Sequence, residues 1–238
     1  MSTLTVAVDP STSLTRTPKF WERLWGSAGL QFVGLFIVGY FIYGNQPHVG
    51  GSLDALVAFY QGNRTRILTA SVLGGLAMLN LMWFAAALRA TLVNAGQEGW
   101  GAAATASSAA LGALAFLLMI LNAGLAYPAP GTTNPALMVG INDLAWAGVV
   151  LSSFPRAMLI MTAAFGLWRA GLISNGLFAV GVVAVVLVLL GGTTWQGEGF
   201  WAPDGLYSRL LSPAIGLLWV LIISRVLLTR GPAARPAW

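Results

Sequence analysis

The sequence contains no cysteine, so disulfides, thiol nucleophiles and cysteine-held iron–sulfur clusters are excluded. Its single histidine is His48, and a zinc site of the usual His/Cys type cannot be assembled. Charge is equally scarce. Charged residues make up 8% of the chain, against roughly 25% in soluble domains, so most of the surface must face something other than water. No acid lies mid-way along an apolar stretch, where a proton-coupled transporter usually keeps its relay. There is no phosphate-binding Gly-rich loop ending in Lys-Ser/Thr, no G-x-S-x-G elbow and no H-E-x-x-H. Neither cofactor nor metal is expected, and no catalytic constellation points to an enzyme.

What the sequence does have is apolar length. Of 238 residues, 57% are hydrophobic and the mean hydropathy is +0.78. A spanning helix needs about 20 mostly apolar residues, and six stretches qualify: Leu24–Tyr43, Ile67–Leu88, Ala102–Ala126, Asp143–Trp168, Leu172–Gly192 and Leu206–Leu228. The expectation is an all-α integral membrane protein with one six-helix domain over residues 24–228. Polar tails over 1–23 and 229–238 flank it. Residues 1–23 hold Asp9, Pro10 and Pro18, unlike a cleavable signal peptide, so the first span is expected to stay in the membrane.

The net charge of +5 is scattered at helix ends, which topology explains better than nucleic-acid binding. With the N-terminus inside, Arg16, Lys19, Arg23, Arg89, Arg169, Arg225, Arg230 and Arg235 share one side, and Arg64, Arg66 and Arg209 the other. Both termini are therefore expected to be cytoplasmic, in the inner membrane. Trp146, Trp195 and Trp201 read as anchors of the outer rim, and Trp21, Trp25, Trp100 and Trp168 of the inner one.

In the first outer loop, Leu53, Leu56, Val57 and Tyr60 repeat at helical spacing behind Ser52. They predict a short amphipathic helix, capped by Ser52, lying on the outer membrane face. Ala104, Ser108 and Gly112 form a small-residue face that allows close helix approach.

One charge remains inside the membrane, Arg156, next to Pro155. Proline lacks the N–H for its intrahelical bond and crowds the preceding turn, so a kink is expected there. A guanidinium at mid-membrane costs several kcal/mol unless it snorkels, finds partners or lines a wet cavity. Counting 1.5 Å per residue along each span places Asn80 and Gln31 at the depth of Arg156. That polar layer has two readings. Gln31 and Asn80 could solvate Arg156 and lock three helices together, or Arg156 could face a cavity and bind an anion through its planar fork. Asp143, with Asn142, sits near the outer end of the fourth span and reads as its N-terminal cap.

Two stretches, FYQGNRTR at Phe59–Arg66 and SFPRAMLIMTAAFGLWRAGLIS at Ser153–Ser174, resemble a set of bacterial six-helix membrane proteins described as a domain of unknown function. Where such relatives tend to carry leucine-proline-arginine after the Arg169 half-helix, this chain has Leu172-Ile173-Ser174-Asn175. The resemblance implies the six-helix fold and supplies no activity, cofactor or site residue. Three functions stay open. One is a non-enzymatic subunit or lipid-binding module, partnered by membrane lipids, another membrane protein or a second copy. The second is a transporter or channel for a small anionic or amphipathic solute using Arg156. The third is an outer-face enzyme using Asp54, Asp143, Glu198 or Asp204.

Overall fold

The computed structural model describes residues 26–127 and 134–229. Of the two polar tails expected at 1–23 and 229–238, only Thr229 falls among these residues; their arginines and Trp21 lie outside them, as do Leu24 and Trp25. Among the described residues the chain is all helical. The helices are α1 (Ala28–Tyr43), α2 (Leu53–Gly62), α3 (Arg64–Asn94), α4 (Glu98–Ala126), α5 (Pro135–Leu151), α6 (Ser153–Arg169), α7 (Asn175–Leu190) and α8 (Ser212–Thr229). A 3-10 turn, Gly191–Thr193, extends α7, and a π-type turn, Tyr207–Leu211, leads into α8.

Five helical segments are long and apolar enough to cross a membrane: α3, α4, α5 with α6, α7 with its 3-10 turn, and α8 with its π turn. The described part of α1 is apolar but shorter. Large apolar side chains point outward, among them Phe41 (74% exposed), Ile120 (66%) and Val72 (65%). In water such a surface would be unfavourable by about 25 cal/mol per Å²; lipid removes that cost.

Local signals explain several boundaries. Ser52 accepts from the Ala55 amide at 3.3 Å and starts α2; Ser174 does the same for α7 with Leu177 at 3.3 Å. Gly96 and Gly171 adopt positive φ after α3 and α6. Beyond each, an amide reaches back five residues, Gln97 to Leu92 and Leu172 to Leu167, both at 2.8 Å. This satisfies orphan carbonyls and reverses the chain within a few residues.

Two expectations are corrected here. The fourth span starts at Pro135, eight residues before Asp143, because Asn134 caps it by accepting from Ala136 at 2.9 Å. Asp143 is thus inside a helix and is not its cap. The division between α5 and α6 falls at Ser152, inside the turn that Pro155 crowds, and Ser152 itself keeps helical backbone angles (φ −62°, ψ −16°). And α2 buries Leu56 and Tyr60 against Ile67, Leu125, Ala126 and Met138, so its apolar face closes the end of the bundle.

α1 and the five long segments pack as a ring in chain order: α1 on α3, α3 on α4, α4 on α5 and α6, α6 on α7, α7 on α8, and α8 back on α1. Glycines set the closest approaches. A Cβ on Gly29 of α1 would lie 1.9 Å from Ser224 Oγ of α8, and one on Gly181 of α7 2.8 Å from Ala164 Cβ of α6. The small face of α4 is spent inside this ring. Ala104, Ser108 and Gly112 are all buried, and a Cβ on Gly112 would meet Met82 Cε of α3 at 2.7 Å.

Candidate functional site

The ring encloses a cavity of about 310 Å³, at the lower end of the size range of small-molecule sites, roughly 300–1,000 Å³. Its wall comes from α1, α3, α4, α5, α6 and α8, and α7 stands behind. Along α1 the lining runs from Phe32 to Gly44, about 18 Å at 1.5 Å per residue. The wall is mainly apolar, with Phe36, Met78, Leu111 and Leu217 among its members. Two arginines, Arg156 and Arg209, line it, and no Asp or Glu does. The space is therefore long, narrow, greasy and electropositive.

Arg156 crosses from α6 to α8. Its Cγ and Cδ pass over Gly216, where a Cβ would sit 2.8 Å from Cδ. Nη1 donates to Ser212 Oγ at 3.2 Å, and Nη2 donates to Ser152 Oγ. Ser152 sits at the junction of α5 and α6, four residues before Arg156, so the two side chains share one helical face. No carboxylate pairs with Arg156 among the described residues. Two neutral hydroxyls occupy two of five donor positions.

The expected polar layer is not assembled. Gln31 Nε2 donates to Ser27 Oγ at 2.8 Å, and Asn80 Nδ2 donates to the Leu76 carbonyl of its own helix at 2.9 Å. Heights explain this. Gly29 of α1 faces Ser224, whereas Arg156 lies against Gly216 and Ser212, two to three turns further along α8. Gln31 thus sits roughly 10–15 Å from the Arg156 level.

The polar side chains that do converge are at the end of the bundle where α1 stops. There residues 44–51 form a strap across the cavity. The Tyr43 hydroxyl lies 2.7 Å from Asn122 Oδ1 and 3.0 Å from Gln46 Oε1. The Tyr60 hydroxyl lies 3.0 Å from the same Asn122 oxygen and 3.1 Å from Asn142 Oδ1. Gln46 donates to Asn142 at 3.0 Å, and Asn142 donates to the His48 carbonyl at 3.2 Å. Asn142 is fully buried, and these bonds make that placement tolerable. Burial pushes the Tyr60 phenol well above its ordinary value, with Tyr43 opposing in part, so it stays a donor.

Further contacts hold the strap to its surroundings. Trp146 Nε1 donates to the Pro47 carbonyl at 2.8 Å. This tryptophan is 4% exposed, a buried pin and not the rim anchor expected. Asp143 accepts from the Gly50 amide at 3.0 Å. His48 pairs with Asp204, and Arg209 donates to Asn45. Trp195 and Trp201 each donate to a backbone carbonyl of the 3-10 segment, Gly192 at 3.1 Å and Thr193 at 3.0 Å. They order their own loop and do not line the cavity.

Sequence reasoning missed Tyr43, Gln46, Ser152, Ser212 and Arg209. The first two follow an apolar run and read as an ordinary helix end. The serines are common small residues, and Arg209 reads as a topology charge. Among the described residues no cluster of His, Asp or Glu could hold a metal.

The chain matches no protein-family model, no curated protein and no solved structure. The likeness of Phe59–Arg66 and Ser153–Ser174 to bacterial six-helix proteins has no counterpart in these comparisons.

Proposed function

We propose that this chain is a non-enzymatic, six-span protein of the cytoplasmic membrane that binds one amphipathic anion, such as a single-chain lipid phosphate or carboxylate. Its termini are cytoplasmic by the distribution of basic residues. The hydrocarbon lies along α1, α3, α4 and α8, and the head meets Arg156. The observation that carries this is Arg156 itself: a permanently charged fork on a narrow apolar cavity, held by two serine hydroxyls and no acid. An anionic oxygen would form charge-assisted bonds there, about twice as strong as neutral ones. Lipid binding is favoured over a role as a docking subunit because the small-residue face of α4 is already buried against α3.

The test is native mass spectrometry of the gently extracted protein with dodecyl phosphate, beside dodecanol as the neutral control. Wild type should retain dodecyl phosphate, and Arg156→Gln should weaken retention by about 10–100-fold, the loss of a hydrogen bond to a charged group. Equal retention in both would overturn the reading.

Pro155, which removes one intrahelical bond beside the cavity, favours a second reading, translocation of the same class of solute, since helix irregularities recur at transporter binding sites. Flux of dodecyl phosphate across proteoliposomes, abolished by Arg156→Gln, would establish it. Retention without flux would leave binding alone.

A further inference from the structure

Arg209 lines the same cavity as Arg156 but stands at its mouth, in the π turn just before α8. Such turns widen the helix locally and often occur at functional sites. The one hydrogen-bond partner of its guanidinium among the described residues is Asn45 Oδ1, a neutral amide oxygen on the strap. Two acids of the same end of the fold are engaged with other groups: Asp204 with His48, and Asp143 with the Gly50 amide. The strap is held unevenly. Gln46, Pro47 and His48 are tied to α5 through Asn142 and Trp146, whereas Asn45 is tied through Arg209. Gly44, with φ +83°, lies immediately before it.

We propose that Arg209 is a second anion-binding point, through which the head group of an amphipathic phosphate or carboxylate passes on its way to Arg156, and that Asn45 is its resting occupant. This rests on the cavity reading above. The Asn45 amide oxygen stands where an anionic oxygen would bind. An incoming anion offers a shorter, stronger charge-assisted bond to the same fork and displaces it. Only Gly44 and Asn45 need swing, because the rest of the strap keeps its bonds to α5. A cavity lined by positive charge and no acid concentrates anions at its mouth before any specific contact forms.

The absence of cysteine permits a direct test. Ser71→Cys places one thiol on the cavity wall of α3, and Ala115→Cys on α4 serves if the first does not fold. In proteoliposomes the thiol is labelled with methanethiosulfonates of similar size, one bearing a sulfonate and one a trimethylammonium. The sulfonate should react about tenfold faster, the low end of electrostatic steering. Arg209→Gln should bring the ratio close to one, and Asn45→Ala should raise the sulfonate rate several-fold. Protection by dodecyl phosphate but not inorganic phosphate would assign the site to a lipid-like anion; protection by both would assign it to free anions as well. A ratio unchanged by Arg209→Gln overturns the Arg209 assignment, and leaves the cavity reading standing if Arg156→Gln still loses dodecyl phosphate. Equal dodecyl phosphate retention by wild type and Arg156→Gln overturns the cavity reading, whatever the labelling shows.

Discussion

The two ends of the helix ring are closed by different physics. At the end away from the strap, helices touch through glycine. Gly29 meets Ser224 and Phe84, Gly166 meets Leu92 and Trp100, and Gly181 meets Trp219 and Ala164. At the strap end the helices stand apart around the cavity, and Tyr43, Tyr60, Asn122, Asn142 and Gln46 join them by hydrogen bonds. In lipid, apolar burial gives helices no reason to prefer one another over acyl chains, so close packing and interhelical hydrogen bonds must hold them. This chain uses each where the other is unavailable. Where backbones meet there is room for no polar side chain longer than a serine; where a cavity must stay open, longer polar side chains span the gap.

Breaking the glycine end should have the largest effect. Gly29→Leu forces α1 away from α8 and should cost about 2–3 kcal/mol by overpacking, seen as a fall of about 5–10 °C in thermal midpoint in detergent. A midpoint within a degree of wild type would mean that α1 does not dock as described.

At the strap end, Asn142→Leu leaves the Tyr60 hydroxyl, the Gln46 amide and the His48 carbonyl without their shared partner. A loss of about 1–3 kcal/mol is expected. Amide exchange should accelerate over residues 44–50 and stay unchanged in the glycine-packed half. Uniform acceleration over all helices would erase the distinction between the two ends.

Tyr60 adds a pH dependence confined to the strap end. Its folded pKa is raised, mainly by burial, so the protonated phenol favours the fold. That contribution is complete below the ordinary phenol value of 10.0 and is lost as pH rises above it. Wild type should therefore lose more stability above pH 10 than Tyr60→Phe does, measured as thermal midpoint against pH. Parallel curves would show that Tyr60 is not buried as described.

The smallest effect is expected between the two regions. Asn80 and Gln31 bond within their own helix or to Ser27, so Asn80→Leu and Gln31→Leu should each change stability by no more than about 0.5 kcal/mol. A loss above 2 kcal/mol in either would restore the polar layer around Arg156.

What was legible and what was not divides along a physical line. Hydropathy length located the apolar segments within a few residues, because lipid demands about 20 apolar positions per crossing. Helix ends with local chemistry were also legible: Ser52 caps α2 where the spacing placed it. The start of α5 at Pro135 was missed because Asp143 offered a second, equally plausible cap. Arg156 could be picked out from sequence as the charge mid-way along a span, yet its partners could not. Counting residues gives depth along an axis, and that depth misplaced Gln31: Gly29, two residues before it, faces Ser224, while Arg156 lies against Gly216 and Ser212, two to three turns nearer the start of α8.

By itself the sequence determined an all-helical, largely apolar chain with one arginine mid-way along an apolar stretch and little charge to spare. Those properties depend on composition and on interactions within a few residues. Only the tertiary structure decided that Arg156 rests on Ser152 and Ser212, that Arg209 joins it on one cavity, and that residues 44–51 close the mouth. Such juxtapositions depend on helix rotation and offset. These are set by where glycines let backbones touch, summed over the whole ring.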